Sequence, residues 1–576
     1  MEDIKRLKTD ILILGSGGAG LFAALHAHKA APDLDITVAV KGLLGKCGCT
    51  RMVQGGYNVA IAEGDSVERH FQDTIEGGKW LNNQDLAWTL INTAVTRIHE
   101  LENELGCFFD RNPDGTIHQK AFAGQTFDRT VHKGDLTGIE IVSRLAEQVW
   151  ARDIGRLEEH RALALIKDES GERLSGVLLV DMRDGSFTFV QAKAVLMATG
   201  GGPTMYRYHT PSGDKSCDGM AMALMAGLPL RDMEMVQFHP TGLIAGKDTR
   251  ITGTIIEEGL RGAGGHLLDG EQQRFMKQYD DREERATRDI VSRAMFEQMR
   301  SGKTTKNGGL YVTMRHLEPD MVRRQFKGMV ERCHDVGFDL VGGLVEVVPT
   351  AHYMMGGVVF GMDCQTELPG LFAAGEDTGG VHGANRLGGN GVANSTVFGG
   401  LAGDAMAPFV KNSGVLSDPN EGEIEAAIAR ALAPFDKPAG DMNAIRDRLY
   451  DVMWDDAGII RNRESLEKTL VQLDEMAADL ASVGLAEEDR RFNLSWHDWM
   501  NLENLILVSR SICVAAIARE NSRGAHFRDD FPEAGDLETS TYTVARLQDG
   551  EMTVENRPVE FTRIRPGESL IEEDAA

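Results

Sequence analysis

Residues 9–20 read Thr-Asp-Ile-Leu-Ile-Leu-Gly-Ser-Gly-Gly-Ala-Gly, an apolar run that ends in a glycine-rich turn. The run 9–14 predicts a buried parallel strand, and a helical pattern follows from about 18 to 31. A second apolar run at 36–40 stands at the spacing of a βαβ unit. Strand, glycine turn and helix in this order predict a dinucleotide-binding fold at the start of the chain.

The glycines of this turn have distinct predicted roles. Gly15 allows the tight turn, Gly17 lets the backbone approach a pyrophosphate, and Gly20 lets the helix pack on the sheet. The helix start then presents its positive dipole end to the phosphates. The second strand ends in Lys41 where an acid for the ribose is usual, so we expect the ribose to be held elsewhere, with Glu376 able to supply the carboxylate.

Composition excludes several classes of function. The 576 residues include 61 Lys and Arg against 88 Asp and Glu, a formal net charge of −27, so nucleic-acid binding is not expected. No apolar run reaches about 18 residues, and we expect no transmembrane segment. Seven scattered cysteines provide neither a disulfide framework nor a set of metal or iron–sulfur ligands. With no signal-peptide pattern at the N-terminus, we expect a cytoplasmic protein.

The order of patterns predicts an α/β protein with a discontinuous first domain. Short strands at 161–198 resemble a β-meander, and a polar, Arg-rich stretch of mixed helical character follows. Long amphipathic helical patterns occupy 441–520. We predict a dinucleotide-binding domain (1–231 and 346–411) with an inserted α+β capping domain (232–345), then a helical domain (412–535) and a C-terminal region (536–576).

Ten segments together resemble the flavoprotein subunit of the succinate dehydrogenase/fumarate reductase family. They are GSGGAG at 15–20, QGG at 54–56, ATGG at 198–201, FHPTG at 238–242, EGLRGAGG at 258–265, TRDIVSR at 287–293, PTAHYMMGG at 349–357, GLFAAGE at 370–376, HGANRLGGN at 382–390 and ENSRGAH at 520–526. The related L-aspartate oxidase shares many of them. The resemblance implies a Rossmann-like FAD-binding domain as the first domain and FAD as the cofactor.

The resemblance also implies which residues bind FAD. Carried over position by position, the cofactor-binding set is Gly15, Gly17, Gly18, Gly20, Lys41, Cys49, Thr50, Gly55, Gly56, Thr199, Gly200, Asp218, Glu376, Asn390 and Val392.

A C4 dicarboxylate substrate has an anionic group at each end, so its site needs cations and hydrogen-bond donors at both. The candidates are His239, Thr241, His352 and Arg386. The resemblance assigns proton transfer to Arg288, with Glu258 and Arg261 as its relay to solvent. In an acidic chain, such a cluster implies a local cationic pocket.

Three positions depart from the family pattern. Cys49 stands where membrane-bound members attach FAD through a histidine, so we expect non-covalent FAD, with a thioether as the alternative. Glu257 replaces a threonine that helps hold a substrate carboxylate, so it must point away, be protonated or meet a cationic substrate group. Gly391-Val392 replaces Ser-Leu, which removes a hydroxyl near the flavin ring.

The leading interpretation is an FAD enzyme that interconverts succinate and fumarate by hydride transfer at flavin N5. Because the chain lacks cluster ligands, we expect an iron–sulfur partner subunit to carry the electrons, with a membrane anchor reached through it, which would place the protein peripherally at the cytoplasmic face. One alternative is an L-aspartate oxidase or another dicarboxylate oxidoreductase. Another is a non-catalytic flavin electron-transfer subunit.

Overall fold

The computed structural model describes residues 4–213, 215–246, 249 and 251–571. Residues 572–576 of the predicted C-terminal region, and residues 1–3, lie outside this range. The strands are β1 (Ile4–Leu14), β2 (Ile36–Val40), β3 (Tyr57–Asn58), β4 (Gln119–Lys120), β5 (Thr130–Val131), β6 (Gly155–Glu158), β7 (His160–Lys167), β8 (Leu174–Asp181), β9 (Phe187–Met197), β10 (Leu230–Arg231), β11 (Val236–Leu243), β12 (His266–Leu268), β13 (Leu310–Thr313), β14 (Val345–Met354), β15 (Gly357–Val358), β16 (Leu371–Ala373), β17 (Thr541–Gln548) and β18 (Glu551–Pro558).

The α-helices alternate with these strands in the first part of the chain and dominate the part after residue 390. They are α1 (Gly18–Ala30), α2 (Val67–Gly77), α3 (Gln84–Asn103), α4 (Thr137–Trp150), α5 (Asp218–Met225), α6 (Gly259–Gly262), α7 (Arg288–Arg300), α8 (Pro319–Gln325), α9 (Lys327–Asp335), α10 (Asn390–Asn412), α11 (Glu421–Leu432), α12 (Met442–Asp455), α13 (Arg463–Ser482) and α14 (Leu494–Ala518).

A seven-stranded sheet forms the centre of the molecule. Its order is β6-β2-β1-β9-β8-β7, and β16 also pairs with β9. The strands β6, β2, β1, β9 and β16 are parallel, whereas β7 and β8 run antiparallel. The carboxyl ends of β1, β2 and β16 therefore meet at one edge, where the loops of an open α/β sheet bind ligands.

The apolar run of β1 is buried on both faces of this sheet. Ile11 and Ile13 belong to a core cluster with α1, α3, α4 and α10. Leu12 and Leu14 belong to a second cluster, formed with α5 and α11–α14. Successive side chains of a strand point to opposite faces, so a run without polar residues is what a covered parallel strand requires.

A four-stranded antiparallel sheet in the order β11-β14-β13-β12 forms a separate layer with α6–α9. The strand β14 pairs with β11 on one side and β13 on the other. The boundary predicted between 345 and 346 therefore falls inside β14. No local pattern marks the true boundary, because β14 is buried and apolar like the strands of the central sheet.

Helix α14 is the one described helix long and apolar enough to cross a membrane by length and composition. Its most apolar window is 72% buried inside the protein, where it packs in the core with α13 and β18. Burial of this kind is typical of a core helix. The described cysteines form no disulfide, and no group of His, Cys, Asp and Glu within the described ranges could hold a metal ion.

Candidate active site

One long cavity runs from the carboxyl edge of the central sheet to the face of the β11–β14 sheet. Its lining includes predicted cofactor residues (Gly15, Gly17, Gly18, Lys41, Cys49, Thr50, Gly55, Gly56, Thr199, Gly200, Asp218, Glu376 and Val392) and predicted substrate or catalytic residues (His239, Glu257, Glu258, Arg288, His352 and Arg386). The remaining predicted residues, Gly20, Thr241, Arg261 and Asn390, lie behind this lining. The cavity thus connects the nucleotide end to the substrate end.

The glycine turn after β1 shapes the nucleotide end. Gly15 has φ +110°, and a Cβ there would lie 2.1 Å from the carbonyl oxygen of Ala198. A Cβ on Gly17, the residue before α1, would lie 3.5 Å from Thr50 Oγ1, which also accepts from the Gly18 N–H at 3.1 Å. The start of α1 therefore faces the cavity, where the N-terminus of a helix favours an anionic pyrophosphate.

A buried polar network surrounds Lys41 at this end. Lys41 Nζ lies 2.9 Å from Asp218 Oδ2, and Arg161 Nη2 lies 2.9 Å from Asp218 Oδ1. Burial lowers the pKa of Lys41 to about 8. Burial acts to raise the pKa of Asp218, but the charges of Arg161 and Lys41 hold it well below its usual value. The lysine that replaces the usual acid is thus held beside an acid from α5.

Two asparagines of α14 complete this network and were not predicted from the sequence. Asn504 Nδ2 donates to Asp218 Oδ1 at 2.8 Å, and Asn501 Oδ1 accepts from Arg161 Nη1 at 2.8 Å. The helical part of the chain therefore supports the nucleotide end. Their only sequence signal is their polarity within an otherwise apolar helix.

We expect Asn504→Leu to weaken FAD binding by about tenfold, because it removes a buried hydrogen bond to the charged Asp218. Flavin fluorescence during titration of the apoprotein measures the dissociation constant. Ser509→Ala on the same helix is the matched control, since the buried Ser509 hydroxyl has no hydrogen-bond partner among the described residues. Equal FAD affinity in the Asn504 variant and wild type would contradict the role of α14.

Two adjacent acids follow β16 and approach the same cavity. Glu376 Oε1 accepts a hydrogen bond from the Met354 backbone N–H at 3.0 Å. Asp377 accepts from the backbone N–H groups of Thr199 and Gly200, which fixes the turn after β9. Burial raises the pKa of each acid to about 7. Asp377 was missed, although it follows Glu376 directly in the sequence.

The start of α10 accounts for one departure from the family pattern. A Cβ on Gly391 would lie 2.7 Å from Nη1 of Arg386, so a serine at 391 would displace the guanidinium. Ser395, one turn further along α10, also lines the cavity with its hydroxyl bonded to the Val392 carbonyl. The side chain of Asn390 lies in another network, and its partners are Asn58, His70 and Thr74.

The residues predicted for proton transfer form one buried ion-pair cluster. Glu258 Oε2 lies 2.7 Å from Arg288 Nη2, and Glu258 Oε1 lies 2.9 Å from Arg261 Nη2. Arg288 is the first residue of α7, and Arg261 is fully buried behind Glu258. Burial acts to raise the pKa of Glu258, but the charges of Arg288 and Arg261 hold it below its usual value. Glu258 is therefore ionised between two arginines.

Gln237 orients Arg288 and was not predicted. Its Oε1 accepts from Arg288 Nη1 at 2.9 Å, and its Nε2 donates to the Arg386 carbonyl at 2.7 Å. The residue thus links the two cationic side chains of the site. Its position two residues before His239 on β11 is a signal in the sequence, since alternate residues of a strand share a face.

Two neutral histidines face the substrate end. The rings of His239 and His352 lie 5.5 Å apart, centroid to centroid, in an edge-to-face arrangement. Burial lowers the pKa of both well below the usual value, and Arg288 and Arg386 add to the effect. The Thr241 backbone N–H donates to Nδ1 of His239 at 3.3 Å, so the neutral ring carries its proton on Nε2 and can donate there.

Arg386 provides a second cation on the opposite side from Glu258. Its guanidinium lies over the ring of Tyr353, with Cζ 4.2 Å from the centroid. Burial lowers the pKa of Arg386 to about 10, so the group stays charged at neutral pH. Its buried Nε has no hydrogen-bond partner among the described residues. A charged donor in this state can accept an anionic substrate group.

Glu257 meets a lysine from a distant part of the chain. Its carboxylate forms an ion pair with Lys120 Nζ, and both side chains are largely buried, with exposures of 3% and 16%. Burial raises the pKa of Glu257, whereas Lys120 acts to lower it. Of the options that the sequence left open for Glu257, the structure supplies a cationic partner from the protein itself.

The site and fold together define a class. The glycine turn, the start of α1 and the continuous cavity fit FAD, and the chain is an FAD-dependent oxidoreductase. A family model described as "FAD binding domain" matches residues 10–392, and one described as "Fumarate reductase flavoprotein C-term" matches residues 446–570. The chain belongs to the fumarate reductase/succinate dehydrogenase flavoprotein family.

Relatives along the whole chain support this membership. The fumarate reductase flavoprotein subunit of Escherichia coli is 34% identical, with 100% of this chain and 98% of that protein covered. The fumarate reductase flavoprotein subunit of Haemophilus influenzae is 32% identical, with 98% of this chain and 97% of that protein covered.

Solved structures show the same architecture. A mutant of FrdA from E. coli quinol fumarate reductase superposes with a TM-score of 0.92 at 32% identity, covering 98% of this chain and 99% of that chain. Mycobacterium smegmatis Sdh1 in complex with UQ1 gives a TM-score of 0.87 at 34% identity, covering 98% of this chain and 96% of that chain. The predicted α/β fold class, with a Rossmann-like FAD-binding domain and a later helical domain, is confirmed.

Proposed function

We propose that the protein interconverts succinate and fumarate. The observation that carries the proposal is the convergence of Arg288, His239, His352 and Arg386 on the cavity that also contains the glycine turn. Two arginines and two histidine donors match a small dianion at both of its ends. When bound, FAD supplies the two-electron chemistry by exchanging a hydride between flavin N5 and a substrate carbon.

The protein's own residues position the substrate and move one proton. Arg386 binds one carboxylate, and the Nε2 donor of His239 binds the other. In fumarate reduction, Arg288 donates a proton to the carbon that does not receive the hydride. Glu258, hydrogen-bonded to both Arg288 and Arg261, then returns a proton to Arg288. Arg288, Glu258 and Arg261 thus act as the proton donor and its relay.

An assay of both directions tests the proposed reaction. The purified chain is loaded with FAD under anaerobic conditions, and flavin absorbance is followed as succinate is added to the oxidised form and fumarate to the reduced form. Reoxidation by fumarate with succinate as product supports the proposal. If fumarate and succinate are both silent, the proposal is wrong. Peroxide formed with aspartate would instead indicate an L-aspartate oxidase, and loss of all turnover with FAD retained would indicate an electron-transfer subunit.

We also propose that FAD is bound without a covalent bond. Cys49 lines the cavity at the position where the family pattern has its attachment histidine. We expect acid precipitation to release all flavin into the supernatant and to leave no fluorescent band on a denaturing gel. Cys49→Ala is the matched variant and should behave identically. A fluorescent band that disappears in this variant would show a thioether to Cys49.

We further propose that an iron–sulfur partner subunit exchanges electrons with the bound FAD. The cysteines of the described chain are scattered, and no cluster ligands are grouped among the described residues. The partner would also connect the protein to a membrane anchor at the cytoplasmic face, since α14 is buried. Co-purification of the tagged chain from its native host, with measurement of iron and acid-labile sulfide, tests this. A chain that purifies alone with full physiological turnover would contradict it.

A further inference from the structure

We infer that the ion pair between Lys120 and Glu257 determines charge selectivity at the substrate end of the cavity. Lys120 neutralises an acid that would otherwise repel a dicarboxylate, and it also prevents that acid from binding an ammonium group. The pair therefore favours an unsubstituted dicarboxylate over an amino-dicarboxylate. This inference rests on the proposed function, since it assumes that a dicarboxylate binds beside Glu257.

The position of the pair supports this role. Glu257 lines the cavity next to Glu258, the partner of Arg288. Lys120 comes from β4, on a different sheet, and its Nζ also lies 5.7 Å from the ring centroid of Phe122, another lining residue. The pair thus joins two separate layers at the wall of the substrate end.

The neighbouring charges leave Glu257 dependent on Lys120. The acids whose fields reach Glu257 are Asp135 and Glu258, and both disfavour its ionised form. Glu258 is already paired with Arg288 and Arg261. The ion pairs of the described residues give Glu257 one cationic partner, Lys120. Removing the lysine therefore leaves a buried carboxylate that faces the substrate with no neutralising charge.

Like charges placed side by side in a desolvated site weaken binding strongly. We expect Lys120→Met to raise the KM for fumarate by about 100-fold, with kcat changed by less than about threefold. The double variant Lys120→Met/Glu257→Gln should return KM to within about fivefold of wild type, because no charge remains at either position. Recovery on removal of the second residue distinguishes charge repulsion from loss of structure.

Four variants and two ligands make the test. Wild type, Lys120→Met, Glu257→Gln and the double variant are titrated with malonate, a dianion that is not turned over, and with L-aspartate, by the change in flavin absorbance. Malonate should bind about 100-fold more weakly to Lys120→Met, whereas the preference for malonate over aspartate should fall by at least about tenfold. Lys120→Arg is the matched control and should bind both ligands like wild type.

Two results would overturn the inference. One is malonate affinity in Lys120→Met within about threefold of wild type, and the other is a double variant as impaired as the single one. Melting temperature and FAD content identify a variant that fails to fold, and the Glu257→Gln comparison then decides, since removing the acid alone should not weaken malonate binding. Because malonate binding needs no turnover, its failure is distinguishable from failure of wild type to turn over fumarate or succinate.

Discussion

Arg288→Ala is expected to lower kcat for fumarate reduction by about 10⁴-fold while FAD content stays at the wild-type level. Arg288 contacts both oxygens of Glu258 and the Oε1 of Gln237, so the structure aims its guanidinium from two sides. Its loss removes the proposed proton donor and leaves Glu258 paired with Arg261 alone. The effect should fall on kcat more than on KM, because the proton is needed only in the transition state.

Steady-state turnover with fumarate and a reduced viologen dye measures this effect. Arg285→Ala is the matched control, because Arg285 lies three residues before Arg288, is exposed and donates to the Gly262 carbonyl. Arg288→Lys keeps a charge but loses the two-pronged contact with Glu258, so it should recover only a small part of the rate. An Arg288→Ala variant with more than about a tenth of wild-type kcat would show that another group donates the proton.

The sequence was sufficient for the fold because local pattern and tertiary role agree in the central sheet. The apolar run of β1 is buried on both faces, and the glycine at its end has the positive φ that the turn needs. The predicted boundary at 345/346 shows the limit of this approach. The strand β14 has the same buried, apolar pattern as the central strands, so only pairing with β11 and β13 assigns it to the other sheet.

Site residues that depend on distant pairing could not be predicted. Lys120 and Glu257 are 137 residues apart, and no local pattern connects a lysine of β4 to that acid. The same holds for Asn504, which is 286 residues from Asp218. Arg288, Glu258 and Arg386 were identified because they stand in segments that resemble a known family. That resemblance carries information about positions, whereas partners that differ from the family pattern appear only in three dimensions.

Arg386→Met is the second large prediction, and it should act on binding. We expect KM for fumarate to rise by about 10²- to 10³-fold, because a buried charge-assisted contact to a carboxylate is lost and the anion has no equivalent partner at that end. The variant keeps an unbranched side chain over the ring of Tyr353, so the wall of the cavity should remain packed. FAD content and melting temperature should therefore stay close to wild type.

Tyr353→Phe serves as the control, since it retains the ring beneath Arg386 and removes only a hydroxyl whose contacts to Asn394 and His382 are long, at 3.4 and 3.5 Å. Comparing the two arginine variants separates their roles. Loss of Arg386 should raise KM with a smaller change in kcat, whereas loss of Arg288 should do the reverse, because one group binds the ground state and the other acts in the transition state. If Arg386→Met shows a KM within about threefold of wild type, the substrate carboxylate lies elsewhere in the cavity, and the assignment of its two ends must be reversed or abandoned.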